Sequence, residues 1–597
     1  MKKIIAIVAA LALALSCMGI SALAEGYQAG TYTASAQGMN GLVTVEVTFS
    51  DSAITDVKVT EHSETAGISD PAIEQVPQDI VSYQSLAVDT VSGATFTSKA
   101  ILNAVEDCVK QAGGDVDALH TEIVKPTQDL GDRTANVEVL VIGGGGTGLS
   151  AAMSAIDSGA TQVMVVEKLG RFGGSTSASG AVVSAENTYY TESIGLAADS
   201  EAWLAEWKAS SDADIGVLGV DPGYPNYSRV ENYFSQVGSA VNWLEDLGVA
   251  HWVTYPFFAN GRYQVPDYII DDTGAADPEG GHMLIEHMVS WLEENNADLR
   301  LNTSGVELLT NDAGDVIGAV VSDEYGTYNV YASKGVVLAT GGFAASEEMM
   351  REYLPQFADW IDLTTAGSGD TGDGMKMAVA VGGVMYNDPY VITLGSTSRK
   401  AGITSYCMSV NLWWRMVVNS KGERFFNEGY MPYQTTVELS RTEDGVAWAL
   451  GDSTFAQVDL LDAAVDGYEV VKADTIEELA EKMGVDAASL AASVEKYNSY
   501  CETGVDADYG KDAAYLTSIS AAPYYAVRIY VCTGGTIGGV VTNLDYQVLR
   551  ADGTVINGLY AGGETSNREM YAYAYSSGSG VGYAIASGRA IGQNIMK

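Results

Sequence analysis

The 597-residue sequence is poor in cysteine and histidine, which narrows the redox and metal chemistry open to it. It contains only five residues of each type. Four cysteines lie beyond the N-terminal segment: Cys108, Cys407, Cys501 and Cys532. They form no CxxC, CxxCH or ferredoxin-type run, which argues against covalent haem, iron–sulfur clusters and zinc knuckles. His282 and His287 are poorly spaced for one helix face, so we interpret them as structural and predict no metal site.

Positive charge is also scarce. The sequence has 31 lysines and arginines against 77 aspartates and glutamates, a formal net charge of −46. Such a field repels phosphate backbones and anionic lipid, which argues against nucleic-acid and membrane-surface partners. Any anionic substrate must therefore be attracted by local cations.

Long apolar runs are absent except at the N-terminus. There, Lys2 and Lys3 precede an apolar stretch that ends in Ala22-Leu23-Ala24 before Glu25, the pattern of a secretory signal peptide. A lipoprotein cut before Cys17 fits worse, because Ala14-Leu15-Ser16 is a poor lipobox. No other run approaches the roughly 20 residues that span a bilayer. The sequence predicts a signal peptide over residues 1–24 and a secreted or extracytoplasmic protein, at the cell surface or in the periplasm.

The length predicts several domains, and the patterning changes along the chain. Residues 25–115 alternate apolar and polar positions and predict a hairpin-rich sheet, closed by a helix after Ser98. Residues 116–136 are polar and read as a linker. Beyond them, strand, glycine turn, helix and strand follow within the roughly 30 residues of one βαβ unit.

The glycine turn of that unit has the spacing of a dinucleotide-binding fingerprint. Gly143, Gly145 and Gly148 satisfy GxGxxG between an apolar strand and a helix, and Glu167 ends the next strand. The glycines permit a tight turn and close approach of a diphosphate, and the carboxylate accepts from ribose hydroxyls. An ordinary α/β turn is the alternative interpretation.

Several separated segments resemble the flavoprotein subunit of the fumarate reductase and succinate dehydrogenase family, and above all its secreted fumarate and urocanate reductase-like members. They are "IGGGGTGLSAAMSA", "VVEKLGRFGGSTSASGA", "VLATGGF", "TGDGMKMA", "NSKGERFFNE", "GGTIGGVVTN" and "LYAGGET", in this order. The resemblance implies an α/β FAD-binding domain, Rossmann-like and in two parts, with an inserted α+β capping domain. The parts would be residues 137–386 and 518–597, with the cap at 387–517.

The resemblance also implies which residues bind FAD. The diphosphate turn would comprise Gly143, Gly145, Thr147 and Gly148, with Glu167 on the ribose. Further residues near the flavin would be Gly174, Ser175, Thr176, Gly180, Asp373, Glu564 and Val581.

A second motif lies in the N-terminal module. The segment "DTVSGAT", Asp89 to Thr95, resembles the flavinylation motif of small α+β FMN-binding domains. In that family the last threonine receives FMN through a phosphoester bond made by a dedicated FMN transferase, which implies covalent FMN on Thr95. From the residues alone, Ser-Gly-Ala-Thr is equally suited to start a helix.

Family resemblance places the catalytic acid at Arg424, which would protonate the α-carbon after hydride reaches the β-carbon of an activated alkene. Taken alone, an arginine in a Lys-Gly turn keeps its proton and is usually a solvated hairpin residue. It can act where water is excluded and a relay replaces its proton, and Arg415 is a candidate for that relay.

Three expected dicarboxylate contacts are missing. The cap has no His-Pro-Thr segment near Gly395, Gly534 and Gly535 stand where a histidine is expected, and tyrosines replace a C-terminal arginine. The tyrosines concerned are Tyr571, Tyr573 and Tyr575, with Tyr530 nearby. Alternate tyrosines commonly form one face of a strand, but in a pocket they would favour an aromatic substrate over fumarate.

Together these features predict an FMN- and FAD-containing reductase of α,β-unsaturated carboxylates, urocanate-like or aryl-acrylate-like rather than fumarate. Neither a haem motif nor a second dinucleotide fingerprint is present, so electrons would come through FMN from an external donor, a membrane quinol-oxidising or electron-exporting protein. Two alternatives stay open: a ketosteroid dehydrogenase-like flavoenzyme, and a non-enzymatic flavin electron shuttle.

Overall fold

The computed structural model describes most of the chain in two compact units, Met1–Thr127 and Gln128–Lys597. The described residues are 26–38, 41–64, 69–88, 90–91, 94–120, 133–254, 261–267, 280–397, 415–429, 432–442, 445–455, 458–573 and 575–597. The predicted signal peptide and most of the predicted linker lie outside these residues. Among the described helices, none has both the length and the apolarity needed to cross a membrane.

The first unit is a three-stranded antiparallel sheet covered by helices, in the order β1-β2-β3. Its elements are β1 (Gly30–Gln37), β2 (Leu42–Phe49), β3 (Ile54–Glu61), α1 (Asp70–Tyr83), α2 (Thr95–Gln111) and α3 (Val116–Leu119). Alternate residues of β2, Val43, Val45 and Val47, are fully buried, as period-two patterning requires. The sheet and closing helix agree with the sequence, whereas α1, which contains Pro77, was not predicted.

The second unit opens with a mainly parallel sheet flanked by helices. Its strands in this part of the chain are β4 (Thr134–Ile142), β5 (Val163–Val166), β9 (Asp298–Arg300), β10 (Ser304–Thr310), β11 (Val316–Asp323) and β12 (Gly326–Leu338). Its helices are α4 (Gly146–Asp157), α5 (Gly174–Ser177), α6 (Tyr189–Ser193), α7 (Ser200–Leu218), α8 (Tyr227–Asp246), α9 (Gly280–Glu294), α10 (Glu347–Tyr353) and α11 (Asp373–Ala380). The sheet order is β10-β11-β12-β4-β5-β9. A separate antiparallel sheet, in the order β6-β8-β7, contains β6 (Val183–Ser184), β7 (Trp252–Thr254) and β8 (Tyr263–Pro266).

A second sheet is inserted after α11. It contains β13 (Tyr390–Thr397), β14 (Met416–Val418), β15 (Val446–Asp452), β16 (Val470–Ala473) and β17 (Tyr524–Ile537), with β13-β17-β15-β14 as the main order and β16 paired to β17. The helices described with it are α12 (Pro432–Ser440), α13 (Val458–Ala464), α14 (Ile476–Met483) and α15 (Ala487–Thr503). The position of this sheet corresponds to the predicted capping domain, but its strand β17 lies beyond residue 517, so the predicted end of the cap is too early.

The chain then returns to the first sheet. The last elements are β18 (Gln547–Leu549), β19 (Val555–Ala561) and α16 (Ser579–Ile595), and β19 pairs in parallel with β12. Helix α16 lies close against α4: a Cβ on Gly588 would be 2.4 Å from the carbonyl oxygen of Thr147, and one on Gly592 would be 2.6 Å from that of Ala151. These glycines let the two backbones approach, so the two sequence-distant parts share one core.

Candidate active site

The turn between β4 and α4 is built for close approach of a ligand to the backbone. Gly143 has φ of 106°, and a Cβ there would lie 2.2 Å from the carbonyl oxygen of Ala339. A Cβ on Gly148 would lie 1.9 Å from the oxygen of Gly143. Gly145 caps α4 without any side-chain hydrogen bond, so the first N–H groups of the helix remain available to an anion. Thr147 lies in this first turn.

Glu167 follows β5 and is buried beside this turn. Its carboxylate accepts hydrogen bonds from the backbone N–H of Gly144, at 2.8 Å, and of Leu169, at 2.9 Å. Burial raises the pKa of Glu167, and these two hydrogen bonds partly offset the effect. Each oxygen keeps a further lone pair, which suits acceptance from ribose hydroxyls.

Arg171 supplies a cation that the sequence reasoning missed. Its Nη1 atom is buried without a hydrogen-bond partner. Burial lowers the pKa of the guanidinium, and Glu167 attracts its charge. The glycine cradle, the uncapped helix and this unpaired guanidinium together fit the diphosphate of a dinucleotide, in a protein whose net charge otherwise repels it.

The segment Gly174–Ser177 forms the opposite wall. Gly173 donates its N–H to the oxygen of Gly144 at 2.9 Å, which joins the segment to the glycine turn. Ser175 Oγ donates to Asp370 at 2.7 Å, and a Cβ on Gly146 would meet Thr176 Oγ1 at 2.7 Å. Gly180 follows this segment in the loop that leads to β6.

Glu564 and Val581 reach the same region from the C-terminal part. Glu564 Oε1 accepts hydrogen bonds from the backbone N–H of Thr536, at 2.5 Å, and from Thr536 Oγ1, at 3.0 Å. Gly563 is adjacent to the first turn of α4, because a Cβ there would lie 2.1 Å from Thr147 Oγ1. Val581 is buried in the first turn of α16.

Asp373 begins α11 and is held by Lys168, whose Nζ lies 2.6 Å from Asp373 Oδ2. Lys168 follows Glu167 directly, so Asp373 is tied to the loop that carries the predicted ribose ligand. The structure therefore places the predicted residues of the glycine turn, the Gly174 segment, α11 and the C-terminal part around one region.

Arg424 is not part of that region. Its guanidinium donates to both oxygens of Glu428, at 2.9 and 2.8 Å, and to Asp506 at 2.8 Å, with 6% of the side chain exposed. Arg424 bridges to Val418 of β14, which pairs with Trp448 of β15.

Strand register places this cluster far along the cap. Trp448 pairs with Arg528 of β17. Arg528 lies seven residues before Gly535 on the same strand, and at the usual rise of a strand the two residues are roughly 23 Å apart. Gly535 is the residue against which Glu564 packs. The structure thus does not bring Arg424 to the other predicted residues, and its catalytic role stays a prediction.

The ion pairs of Arg424 with Glu428 and Asp506 give it a structural role in the cap. Burial lowers its pKa, but the hydrogen bonds to Glu428 and Asp506 outweigh burial and leave the pKa above the ordinary arginine value. Asp506 is also buried, yet its hydrogen bonds from Arg424 and from the N–H of Lys511 bring its pKa down to about 2. Both charges are thereby fixed, which opposes proton release from Arg424.

Arg415 is different, because its two terminal nitrogens have no hydrogen-bond partner. The guanidinium lies 3.7 Å from the centre of the Phe455 ring, and burial lowers its pKa to about 10. Lys511 donates to the Arg415 carbonyl oxygen at 2.6 Å, so Arg415 borders the Arg424 cluster without a side-chain bond to it.

The C-terminal tyrosines do not form the strand that was one interpretation of them. Tyr571 is buried and shares a 2.7 Å hydrogen bond with Ser579, while Tyr575 Oη accepts from the N–H of Gly580 at 3.1 Å. Tyr573 packs edge-on to Tyr390, the first residue of β13, with ring centres 5.0 Å apart. Two of the three therefore brace the start of α16, and the third reaches the capping domain.

Next to them lies Arg568, a fully buried arginine that the sequence reasoning missed. It donates to the carbonyl oxygens of Asp388 and Tyr571, each at 2.7 Å, and stacks over Tyr224 at 4.0 Å. These bonds tie the tyrosine segment to Asp388, two residues before β13 of the cap.

In the first unit, Thr95 is the first residue of α2. The preceding Ala94 gives no side-chain cap, so among the described residues the helix-start interpretation lacks its expected hydrogen bond. Ser98 instead accepts from the N–H of Val91 at 3.0 Å and donates to the oxygen of Ala94 at 2.9 Å. These bonds fix the turn that delivers Thr95. Asp89, Ser92 and Gly93 lie outside the described residues.

Comparison with known proteins agrees with this geometry. The family described as "FAD binding domain" matches residues 138–581, and the family described as "FMN-binding domain" matches residues 38–110. The chain belongs to the FAD-binding domain family. Urocanate reductase from Eggerthella lenta is 32% identical over 565 residues, covering 92% of this chain and 89% of that protein.

Two further relatives extend the comparison. NADH:acrylate oxidoreductase from Vibrio harveyi is 28% identical over 599 residues, which cover 90% of this chain and 58% of that protein. A solved flavocytochrome c3 fumarate reductase in its open conformation has a TM-score of 0.60 at 28% identity, covering 77% of this chain and 78% of that one. The predicted fold class and family are confirmed, and the chain is a flavin-dependent oxidoreductase with an FAD-binding and an FMN-binding domain.

Gly148→Ala is expected to weaken FAD binding by about tenfold or more, because its Cβ would collide with the Gly143 oxygen and overpacking costs about 1–3 kcal/mol. The control is Gly216→Ala, in the last turn of α7, where a Cβ meets nothing within 4 Å. Titration of FAD into the stripped proteins measures both. Equal affinities in the two variants would contradict the role given to the turn.

Proposed function

We propose that the protein is an extracytoplasmic reductase that transfers hydride from FAD to the C=C bond of an aromatic α,β-unsaturated carboxylate, of the urocanate or aryl-acrylate kind. Electrons reach FAD from FMN bound covalently to Thr95. An external donor, a membrane quinol-oxidising or electron-exporting protein, reduces the FMN. A dedicated FMN transferase attaches the FMN to Thr95.

The tyrosine segment is the observation that carries the substrate class. Tyr573 lies where the C-terminal part meets the first strand of the cap, in edge contact with Tyr390. The nearby Arg568 donates its hydrogen bonds to Asp388 and to backbone oxygens. Its guanidinium is therefore not available to bind a second substrate carboxylate. The aromatic surface of Tyr573 and Tyr390 would contact a substrate ring, whereas Arg568 is not available to pair with the second carboxylate of fumarate. This favours an aromatic substrate over fumarate.

The residues of this chain divide the work of the reaction. When bound, FAD supplies hydride. The glycine turn with Arg171 would hold the diphosphate, and Glu167 the ribose. Ser175 and Glu564 would border the flavin, and each is held in place by hydrogen bonds, Ser175 to Asp370 and Glu564 from Thr536. The resemblance suggests Arg424 as the acid, but its ion pairs with Glu428 and Asp506 oppose proton release, so the proposed reaction does not depend on Arg424 as the acid.

The proposal predicts that the chemically reduced holoprotein is reoxidised at least about tenfold faster by urocanate or cinnamate than by fumarate. The difference follows from aromatic contact worth about 0.5–1.5 kcal/mol and from the cost of burying an unpaired second carboxylate. Anaerobic stopped-flow absorbance at the flavin bands gives the rates. 4-Vinylphenol, which has a ring and no carboxylate, and a 3-keto-4-ene steroid complete the panel.

Tyr573→Leu tests whether Tyr573 contributes to the preference for an aromatic substrate. Tyr530→Leu is the control, because the Tyr530 hydroxyl donates to Glu469 within the cap at 2.5 Å. Tyr573→Leu should narrow the preference for cinnamate over fumarate, while Tyr530→Leu should leave it unchanged. Faster reoxidation by the steroid than by any acid would support the ketosteroid dehydrogenase-like alternative. No reoxidation by any compound would support an electron shuttle.

A further inference from the structure

Two acids that the sequence treats separately meet at consecutive glycines behind the flavin region. A Cβ on Gly341 would lie 2.0 Å from Asp370 Oδ1, and a Cβ on Gly342 would lie 1.9 Å from Glu564 Oε1. The two glycines are consecutive, and the charge of Asp370 acts on Glu564, so the two carboxyl groups border the same short stretch of backbone. Only glycines leave room for both.

Neither carboxyl group is in contact with a cation among the described residues. Asp370 accepts from Ser175 Oγ at 2.7 Å, and Glu564 accepts two hydrogen bonds from Thr536, its N–H and its hydroxyl. The positive charge of Lys168 lowers the pKa of Asp370 through space, but Lys168 forms its ion pair with Asp373, with Nζ and Oδ2 2.6 Å apart. The other charged or titratable groups that act on the two acids are Glu167, which repels Asp370, and Tyr571, which interacts with Glu564.

Ionising both of two buried carboxyl groups that interact with each other costs substantial free energy. Burial raises the pKa of Asp370 to about 6, and burial together with the charge of Asp370 raises that of Glu564 well above its ordinary value. Burial and the repulsion between the two groups therefore favour a state of the pair with one proton and one negative charge. Such a pair responds strongly to any further charge placed beside it.

We propose that Asp370 and Glu564 form a proton-storing pair that takes up a second proton when the neighbouring flavin is reduced and releases it when the flavin is reoxidised. Ser175 and Glu564 are both predicted flavin-site residues, and Asp370, which had no assigned role, bonds to Ser175 and acts on Glu564 through its charge. Asp370 is a positioning residue in this sense: it acts on the flavin through its charge.

The electrons and protons balance without an additional reagent. The donor supplies two electrons, and the flavin takes these with one proton, which leaves one added negative charge on the reduced ring. The pair then binds one proton from solvent and becomes neutral. When hydride leaves for the alkene, the added charge disappears and the pair returns its proton to solvent, while the product carbon receives its own proton separately.

The dependence of the FAD midpoint potential on pH tests the proposal. One proton per two electrons shifts the potential by about 30 mV per pH unit, and two protons by about 59 mV. Above pH 6, the wild-type holoenzyme should follow a slope about 30 mV per unit steeper than Asp370→Asn, which keeps the acceptor for Ser175 but removes the charge. Asp452→Asn, a buried aspartate in the cap, should match the wild type. Equal slopes for wild type and Asp370→Asn would overturn the proposal.

Thermal unfolding of the oxidised holoenzyme gives a second measurement that needs no redox titration. The folded state binds more protons at Asp370 than the unfolded state does between about pH 4 and pH 6, so the native enzyme loses stability as pH rises through this window. Asp370→Asn should therefore gain about 2–4 °C in Tm relative to wild type between pH 4.5 and pH 7. A Tm difference that does not change with pH would count against the pair.

Discussion

Thr95→Ala is expected to leave one flavin per protein where the wild type has two. Thr95 starts α2, and the turn before it is fixed by the two bonds of Ser98. A transferase that recognises this turn would find no hydroxyl on alanine, so the phosphoester cannot form, while FAD binding in the separate second unit is unaffected. Intact mass spectrometry of protein produced with the transferase should show FMN mass on the wild type only.

The matched control is Thr55→Ala, on β3 of the same module, whose hydroxyl bonds to the oxygen of Thr48 at 2.9 Å. It should carry FMN to the same extent as the wild type. Ser98→Ala should fold but carry less FMN, because the turn loses two hydrogen bonds. Full FMN mass on Thr95→Ala would show that another residue is the attachment site.

Arg424→Met is expected to destabilise the capping domain by about 3–5 kcal/mol, the usual result of removing one partner from a buried ion pair. It leaves Glu428 and Asp506 buried with only Lys511 to compensate them, at 3.4 Å from Glu428. Arg441→Met, an exposed arginine of the same domain that pairs with Glu438, should change stability by less than about 1 kcal/mol. Denaturant unfolding monitored by tryptophan fluorescence measures both.

Arg424→Lys separates the structural role from the catalytic one. Lysine cannot span Glu428 and Asp506 with three hydrogen bonds, so stability should fall while alkene reduction, assayed well below Tm, stays within about threefold of wild type. A variant with unchanged Tm, normal flavin reduction and no alkene reduction would instead identify Arg424 as the acid, against the geometry described here.

Local patterns were sufficient for the part of the site that local backbone builds. The Gly143 turn, α4 and Glu167 follow from one βαβ unit, because glycine spacing and strand length decide that geometry within about 25 residues. The tyrosine alternation was misleading, since it resembles a strand but occurs in an irregular segment that braces α16.

Long-range pairs were beyond the reach of such patterns. Ser175 meets Asp370 across 195 residues, and Arg424 meets Asp506 across 82. Arg424 follows a Lys-Gly turn that looks solvated, and only the fold reveals its burial. Arg171 and Arg568 were missed for the same reason, because a buried arginine has no local signature that distinguishes it from an exposed one.

The count of product molecules per protein chain tests the two-flavin reductase most directly. The holoprotein is reduced fully under anaerobic conditions, freed of excess reductant and mixed with urocanate or cinnamate, and the saturated acid is quantified. Two flavins that each deliver two electrons predict two product molecules per wild-type chain and one per Thr95→Ala chain. Flavins that stay reduced, or that reoxidise without forming saturated acid, would contradict the account.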